Sequence, residues 1–173
     1  MEKILIIGSK GQLGQALVSS SSKLPPSVAT DKTDLDITDT KSVNMIFSEV
    51  KPTIVINAAA YTNVDEAEIN TDLAYDVNAF GPKNLAEACN QIGATLIHIS
   101  TDYVFNGKKN DPYRENEKVE PVSVYGKSKL MGEEFVRNIC SNHIILRTAW
   151  VFSENKKNFV HTILQLAQTK DKL

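Results

Sequence analysis

Tyr125-Gly-Lys-Ser-Lys129 sets a phenol and an ammonium four residues apart. If the segment is helical, that spacing puts both side chains on one face. A ketone that accepts a hydride becomes an alkoxide unless a positioned acid supplies a proton. A tyrosine with pKa near ~10 keeps its proton at neutral pH but gives it up slowly, and burial raises the value further. An ammonium at about 4 Å opposes this by roughly 4 kcal/mol at an effective dielectric of about 20, which is about three pH units. The expectation is that Lys129 prevails over desolvation and brings Tyr125 toward physiological pH. Ser100-Thr101-Asp102 adds a hydroxyl, on Thr101, that can donate to a developing oxyanion. Thr101, Tyr125 and Lys129 are therefore the candidate catalytic residues.

A second group of residues is suited to holding the hydride carrier. Gly8-Ser-Lys-Gly11-Gln-Leu-Gly14 follows the first apolar run and opens a helix. Side chains at the first two glycines would obstruct a tight turn and the approach of a pyrophosphate, and the third lets helix and sheet pack closely. Gln12 and Leu13, in the same turn, are assigned with these glycines to the cofactor. Asp31 lies 23 residues after Gly8, where an acid accepts hydrogen bonds from an adenosine ribose. It would repel a 2′-phosphate, and the adjacent Lys32 could offset that. The pattern leans toward NADH and leaves NADPH open. Asp36 and Ile37 are placed near the adenine. Asn57 is followed by Ala58, Ala59 and Ala60, whose small side chains leave room for a cofactor across the sheet edge.

These residues need a scaffold, and the chain alternates short apolar runs with helix-length segments. Strands are expected at residues 3–7, 28–30, 53–57, 95–100 and 143–147. Helices are expected at 12–22, 38–50 with Thr38 as cap, 65–92 with a break near Asn70 and a stop at Gly93, 122–140, and 158–169. Leu13, Ala16 and Leu17 mark one face of the first helix, Ser19–Ser22 its frayed end, and residues 101–121 a long polar loop. Such alternation implies α/β architecture, a doubly wound parallel sheet with ligands beyond the carboxyl ends of its strands.

The 173 residues suffice for one domain, 42% hydrophobic and 23% charged, with net charge −2 and no basic stripe. That argues against nucleic acid or an anionic membrane as partner. No apolar run reaches the roughly 20 residues that span a bilayer, and the amino-terminal run reads as a strand rather than a secretion signal. Cys89 and Cys140 read as reduced, buried thiols, which points to the cytoplasm. His98 reads as a satisfied core residue, and His143 and His161 lack partners at metal spacing, so no metal is assigned. Asp65, Glu66 and Glu68 read as a solvated helix start, and Glu133-Glu134 and the final Lys170-Asp171-Lys172 as solvated charge.

Taken together, the glycine turn, Leu35-Asp-Ile-Thr-Asp39, Asn57-Ala-Ala-Ala60, Ser100-Thr-Asp-Tyr-Val-Phe-Asn-Gly107, Tyr125-x-x-x-Lys129 and Arg147-Thr-Ala-Trp-Val-Phe152 span nearly the whole chain. On these strings it resembles the extended short-chain dehydrogenase/reductases, and most of all those that reduce a keto sugar carried on a nucleotide. The resemblance implies a Rossmann-type domain. It also implies NADPH- or NADH-dependent reduction of the 4-keto group of dTDP-4-dehydro-6-deoxy-L-mannose, giving dTDP-L-rhamnose for cell-surface polysaccharide. Asp102, Tyr103 and Trp150 would line the sugar pocket, with Thr62 and Val64 at its edge and Asn78 nearby. A homodimer is implied as well. Family members continue into a C-terminal lobe that helps hold the nucleotide-sugar, so residues 1–173 are expected to be one domain of a longer reductase. The alternatives are a related epimerase or dehydratase, or a non-catalytic dinucleotide-binding regulatory subunit. Dehydratases pair Asp with Glu after the threonine, whereas residue 103 is tyrosine.

Overall fold

Strand β1 (Ile4–Ile7) is apolar at every position, and all four residues are buried. A strand covered on both faces reads this way, and such strands belong to parallel sheets. The computed structural model describes residues 2–21, 25–154 and 158–169. Among them, five parallel strands form one sheet: β1, β2 (Ser27–Thr30), β3 (Ile54–Asn57), β4 (Thr95–Thr101) and β5 (His143–Thr148), in the order β2-β1-β3-β4-β5. The order reverses between β1 and β3, where Ile7 pairs with Asn57, and loops diverge there to leave a crevice. The sheet is doubly wound, as the alternation anticipates, and Rossmann-like, as the resemblance implies.

Alternate strand residues serve opposite faces. Leu5, Ile7, Val55 and Leu96 pack with Val43 and Phe47 of α2 (Thr40–Val50), Leu85 and Cys89 of α5 (Gly81–Ile92) and Val136 of α6 (Val124–Ile139). Ile4, Ile6 and Ile56 face the other way, against Leu17 of α1 (Gln12–Ser19). Each fully buried Leu or Ile stabilises by roughly 1.5–3 kcal/mol. Helix α7 (Phe159–Thr169) contributes no buried residue.

Several boundaries differ from expectation for local reasons. Asp39, not Thr38, caps α2 by accepting from the Lys41 N–H, while Thr38 donates to Asp36. The stretch 65–92 divides into α3 (Val64–Ala67), α4 (Thr71–Tyr75), a π-turn (Asp76–Phe80) and α5, and Gly93 stops α5 at φ 72° as its conformational freedom allows. Helix α1 ends at Ser19; the expected frayed end at Ser22 and the charged Lys170, Asp171 and Lys172 lie outside the described residues. Among the described residues no helix is long and apolar enough to cross a membrane.

Candidate active site at the carboxyl edge of the sheet

The chain leaves β1 through Gly8 at φ 84°, a conformation that side chains resist. A Cβ there would lie 2.7 Å from the Ala59 nitrogen and 2.9 Å from the Ala58 carbonyl carbon. The turn therefore runs against the backbone that follows β3. Gly11 caps α1, and Gly14 is buried where any side chain would strike the Gly8 carbonyl. Leu13 faces a cavity, whereas the Gln12 side chain spans the cleft mouth: its amide donates to the Val151 carbonyl at 2.7 Å and its oxygen accepts from Asn158 at 3.2 Å. Gln12 thus fastens the loop after β5 to the glycine turn.

A cavity of about 380 Å³ opens beside this turn, lined by Gly8, Gly11, Asp31, Asp36, Ile37, Ala58, Ala59 and Ala60 among others. Asp31 ends up where a ribose acceptor was expected, but its oxygens already have partners. Thr33 donates from its backbone and its hydroxyl, both at 2.7 Å, and Lys10 forms an ion pair with the carboxylate. Lys10 and Thr33 hold the Asp31 carboxyl well below its ordinary range. Lys10, inside the glycine turn, is the cation on Asp31; Lys32, expected to offset the repulsion of a 2′-phosphate, lines the same cavity. Asp36 accepts from the Thr38 N–H and hydroxyl, chiefly the latter lowering its pKa.

The second cavity, about 580 Å³, shares Gly11, Ala58 and Ala60 with the first and extends to Thr62, Thr101, Asp102, Tyr125, Lys129 and Trp150. Helix α6 is aimed at it by two caps. Ser123 accepts from the Gly126 N–H, and Glu68 accepts from the Val124 N–H at 2.8 Å. Glu68 therefore anchors a helix end instead of only meeting solvent. Inside the helix, the Ser128 hydroxyl donates to the Tyr125 carbonyl and accepts from Asn78. Asn78, buried in the π-turn, also exchanges both amide hydrogen bonds with the Tyr61 backbone at 2.9 Å. Asn78 thus braces the loop after β3 against the helix that carries Tyr125.

Thr101, Tyr125 and Lys129 converge on this cleft and are all buried. The electrostatics overturn the expected balance. Burial pushes the Tyr125 phenol above its ordinary 10; a hydrogen bond with Thr101 opposes this, and the Asp102 charge adds to it. Lys129 is itself the group that yields. Burial pulls its ammonium down to about 8 against the attraction of Glu133, and its Nζ donates to the Ile99 carbonyl at 2.7 Å. Desolvation is the largest cause of both shifts because both side chains are enclosed, which the spacing alone could not reveal.

The residues assigned to the sugar are only partly brought together. Thr62 and Asp102 line the cleft, and so does Trp150, 75% exposed at φ 51° with its ring edge-on to Phe159. Tyr103 stands edge-on to the Tyr125 ring, centroids 5.5 Å apart, without lining the cavity. Val64 does not reach it; it packs with Ala67 and Ala74 against Tyr125. Sequence reading missed Thr148, Ala149 and Phe159 in the lining. It also misjudged Glu133, which is fully buried rather than solvated. His98 is in the core as expected, but among the described residues only its Nδ1 is paired, with Asn57 at 3.1 Å, and its Nε2 has no partner there. Burial keeps this imidazole well below its ordinary pKa, hence neutral. Cys89 and Cys140 are free and buried, and no metal-binding cluster occurs among the described residues.

Comparison with known proteins extends these observations. The family model described as the RmlD substrate binding domain matches residues 1–173. The spore coat polysaccharide biosynthesis protein SpsK of Bacillus subtilis is 44% identical over 100% of this chain and 62% of its own length. The crystal structure of a dTDP-4-dehydrorhamnose reductase from Clostridium acetobutylicum superposes with a TM-score of 0.95 at 48% identity, covering 99% of this chain and 61% of that one. The dTDP-4-dehydrorhamnose reductase of Bacillus anthracis, solved in complex with NADP, gives 0.94 at 40% identity, covering 98% and 60%. The chain thus spans about three fifths of the length of the relatives it matches.

Proposed function

The chain belongs to the family of the RmlD substrate binding domain, and on that premise we propose that residues 1–173 are the NAD(P)-binding and catalytic domain of a longer reductase. The reaction is hydride transfer from NADPH or NADH to the 4-keto group of dTDP-4-dehydro-6-deoxy-L-mannose, giving dTDP-L-rhamnose. Similarity to two solved dTDP-4-dehydrorhamnose reductases supports this substrate. The observation that carries the reading is the convergence of Thr101, Tyr125 and Lys129 in a cleft continuous with the glycine turn. Asp102-Tyr103 lacks the acid pair that water elimination would use, which favours simple reduction.

The residues present fit a dinucleotide. Gly8 lets the turn lie against the Ala58–Ala59 backbone while lining the smaller cavity, and the two cavities meet at Gly11, Ala58 and Ala60, across the switch point of the sheet. Gly8, Gly11 and the start of α1 would hold the pyrophosphate, Asp31 and Lys10 the adenosine ribose, and Lys129 the nicotinamide ribose. When bound, the reduced nicotinamide supplies the hydride. Thr101 offers its hydroxyl to the substrate oxygen, where negative charge builds. Tyr125, with its pKa raised, stays fully protonated at neutral pH and keeps a proton ready on its phenol oxygen. The far more basic alkoxide accepts that proton, so a lowered phenol pKa is not required. Lys129, one helical turn away, stabilises the phenolate left behind. Asp102, Thr62 and Trp150 flank the sugar.

The same reading assigns the enzyme to the cytoplasm, with a nucleotide-sugar as its partner and a homodimer as its assembly; free, buried thiols at Cys89 and Cys140 agree with a reducing compartment. The test is consumption of NADPH or NADH by the full-length protein given the 4-keto sugar nucleotide, with Tyr125→Phe as control. Turnover that ignores this substrate would refute the assignment.

A further inference from the structure

Four residues after Lys129, one turn along the same face of α6, Glu133 is fully enclosed. It accepts from the Ser100 hydroxyl at 2.6 Å, from Arg147 Nε at 2.8 Å and a second Arg147 nitrogen at 2.6 Å, and from Arg137. These partners come from three elements. Ser100 immediately precedes Thr101 on β4, Arg147 sits in β5, and Arg137 lies one turn further along α6. Arg147 also lies over the Phe105 ring at 5.1 Å, and that ring stacks on Tyr113 at 4.2 Å. The clamp therefore reaches the loop that follows Asp102.

We propose that Glu133 is a positioning residue: its carboxylate locks α6 to the ends of β4 and β5 and serves as counter-ion to Lys129, so that Thr101, Tyr125 and Lys129 keep one register. The proposal rests on the catalytic reading of those three residues. A buried ion group can often be replaced by apolar side chains without loss of stability, so stability alone gives weak grounds for it. What an apolar side chain could not supply is a directional link that ends one residue from Thr101 and one turn from Lys129. Among the described residues, the charged and titratable groups that face the pair are Tyr125 and Arg137 on α6, neutral His98 on β4, and Arg147 on β5. Burial opposes ionisation of Glu133, but the Arg147 and Ser100 hydrogen bonds and the two guanidinium charges prevail and keep it anionic. Its charge in turn favours the Lys129 ammonium.

The test is Glu133→Gln in the full-length enzyme, with kcat and KM followed between about pH 6 and about pH 10. Glutamine keeps the shape, loses the charge and leaves two guanidinium groups without their shared anion. The alkaline limb of kcat is expected to move down by about two pH units, the scale of a unit charge about 6 Å away at an effective dielectric of about 20. At neutral pH kcat falls by about tenfold while the sugar KM stays within about threefold. Glu133→Asp restores the limb. A uniform loss with an unmoved limb would mean that Glu133 is merely structural and would overturn the proposal. If the glutamine variant does not fold, Ser100→Ala removes one hydrogen bond and no charge; a kcat unchanged in that variant would equally overturn the proposal, and a several-fold loss at constant KM supports it. Wild-type protein inert toward the keto sugar would instead contradict the functional reading itself.

Discussion

Replacing Lys129 with methionine should stabilise the folded protein at neutral pH. Lys129 is 2% exposed, and its ammonium is pulled from the ordinary 10.5 to about 8. At about 1.4 kcal/mol per pH unit, that difference corresponds to roughly 3 kcal/mol of burial penalty. The sign follows from proton binding. Between about 8 and 10.5 the unfolded chain holds the lysine proton and the folded chain does not, so stability rises with pH across that window. Below about 8 both states are charged and the full penalty applies; above 10.5 both are neutral and it vanishes. Methionine removes the penalty but leaves the Ile99 carbonyl without its 2.7 Å partner, at a cost of about 1–3 kcal/mol. Lys129→Met should therefore gain about 1 kcal/mol at pH ~7 and lose about 2 kcal/mol at pH ~10.5. Urea unfolding of both proteins at a series of pH values measures this crossing. The other titrating groups are common to both, so the difference isolates Lys129. A difference constant within about 0.5 kcal/mol over the window would refute the claim that this ammonium is strained by burial.

Gly8→Ala forces a side chain into φ 84° and against the Ala58–Ala59 backbone. Strain and clash together should cost about 3 kcal/mol, or about 10 °C in Tm, with a matching loss of NADPH affinity by calorimetry; an unshifted melting curve would contradict the packed turn. Trp150→Ala, at an exposed ring, should change stability by less than about 0.5 kcal/mol and raise the sugar KM about tenfold with kcat held. An unaltered KM would remove Trp150 from the sugar site.

Much of the scaffold was legible because it rests on local signals. Continuous apolar runs such as Ile4–Ile7 identify strands buried on both faces, and Gly93 marks a helix stop at a position where φ is positive. The convergence of the glycine turn with Thr101 and Tyr125 followed from one rule, that parallel strands gather their carboxyl ends at one edge. The π-turn at Asp76–Phe80 was hidden because its residues are ordinary helix formers and its cause is tertiary, the pairing of Asn78 with the Tyr61 backbone. Glu133 and Glu134 are indistinguishable by type. Only the lysine one turn earlier and an arginine inside a strand hinted that the first would be enclosed. The direction of the Tyr125 shift is not legible in the sequence because desolvation depends on enclosure by segments distant in sequence, Ala67 and Ala74 among them. Lys10 was overlooked as the partner of Asp31 because the glycines framed that turn as a backbone motif.

The account stands on Tyr125 as the proton source for an incoming alkoxide. Single-turnover reduction of the keto sugar by full-length Tyr125→Phe, with NADPH affinity measured in parallel, addresses it most directly. The phenol removed, affinity should stay within about threefold while the chemical step slows by at least about a hundredfold. Reduction at the wild-type rate with phenylalanine in place would contradict the account.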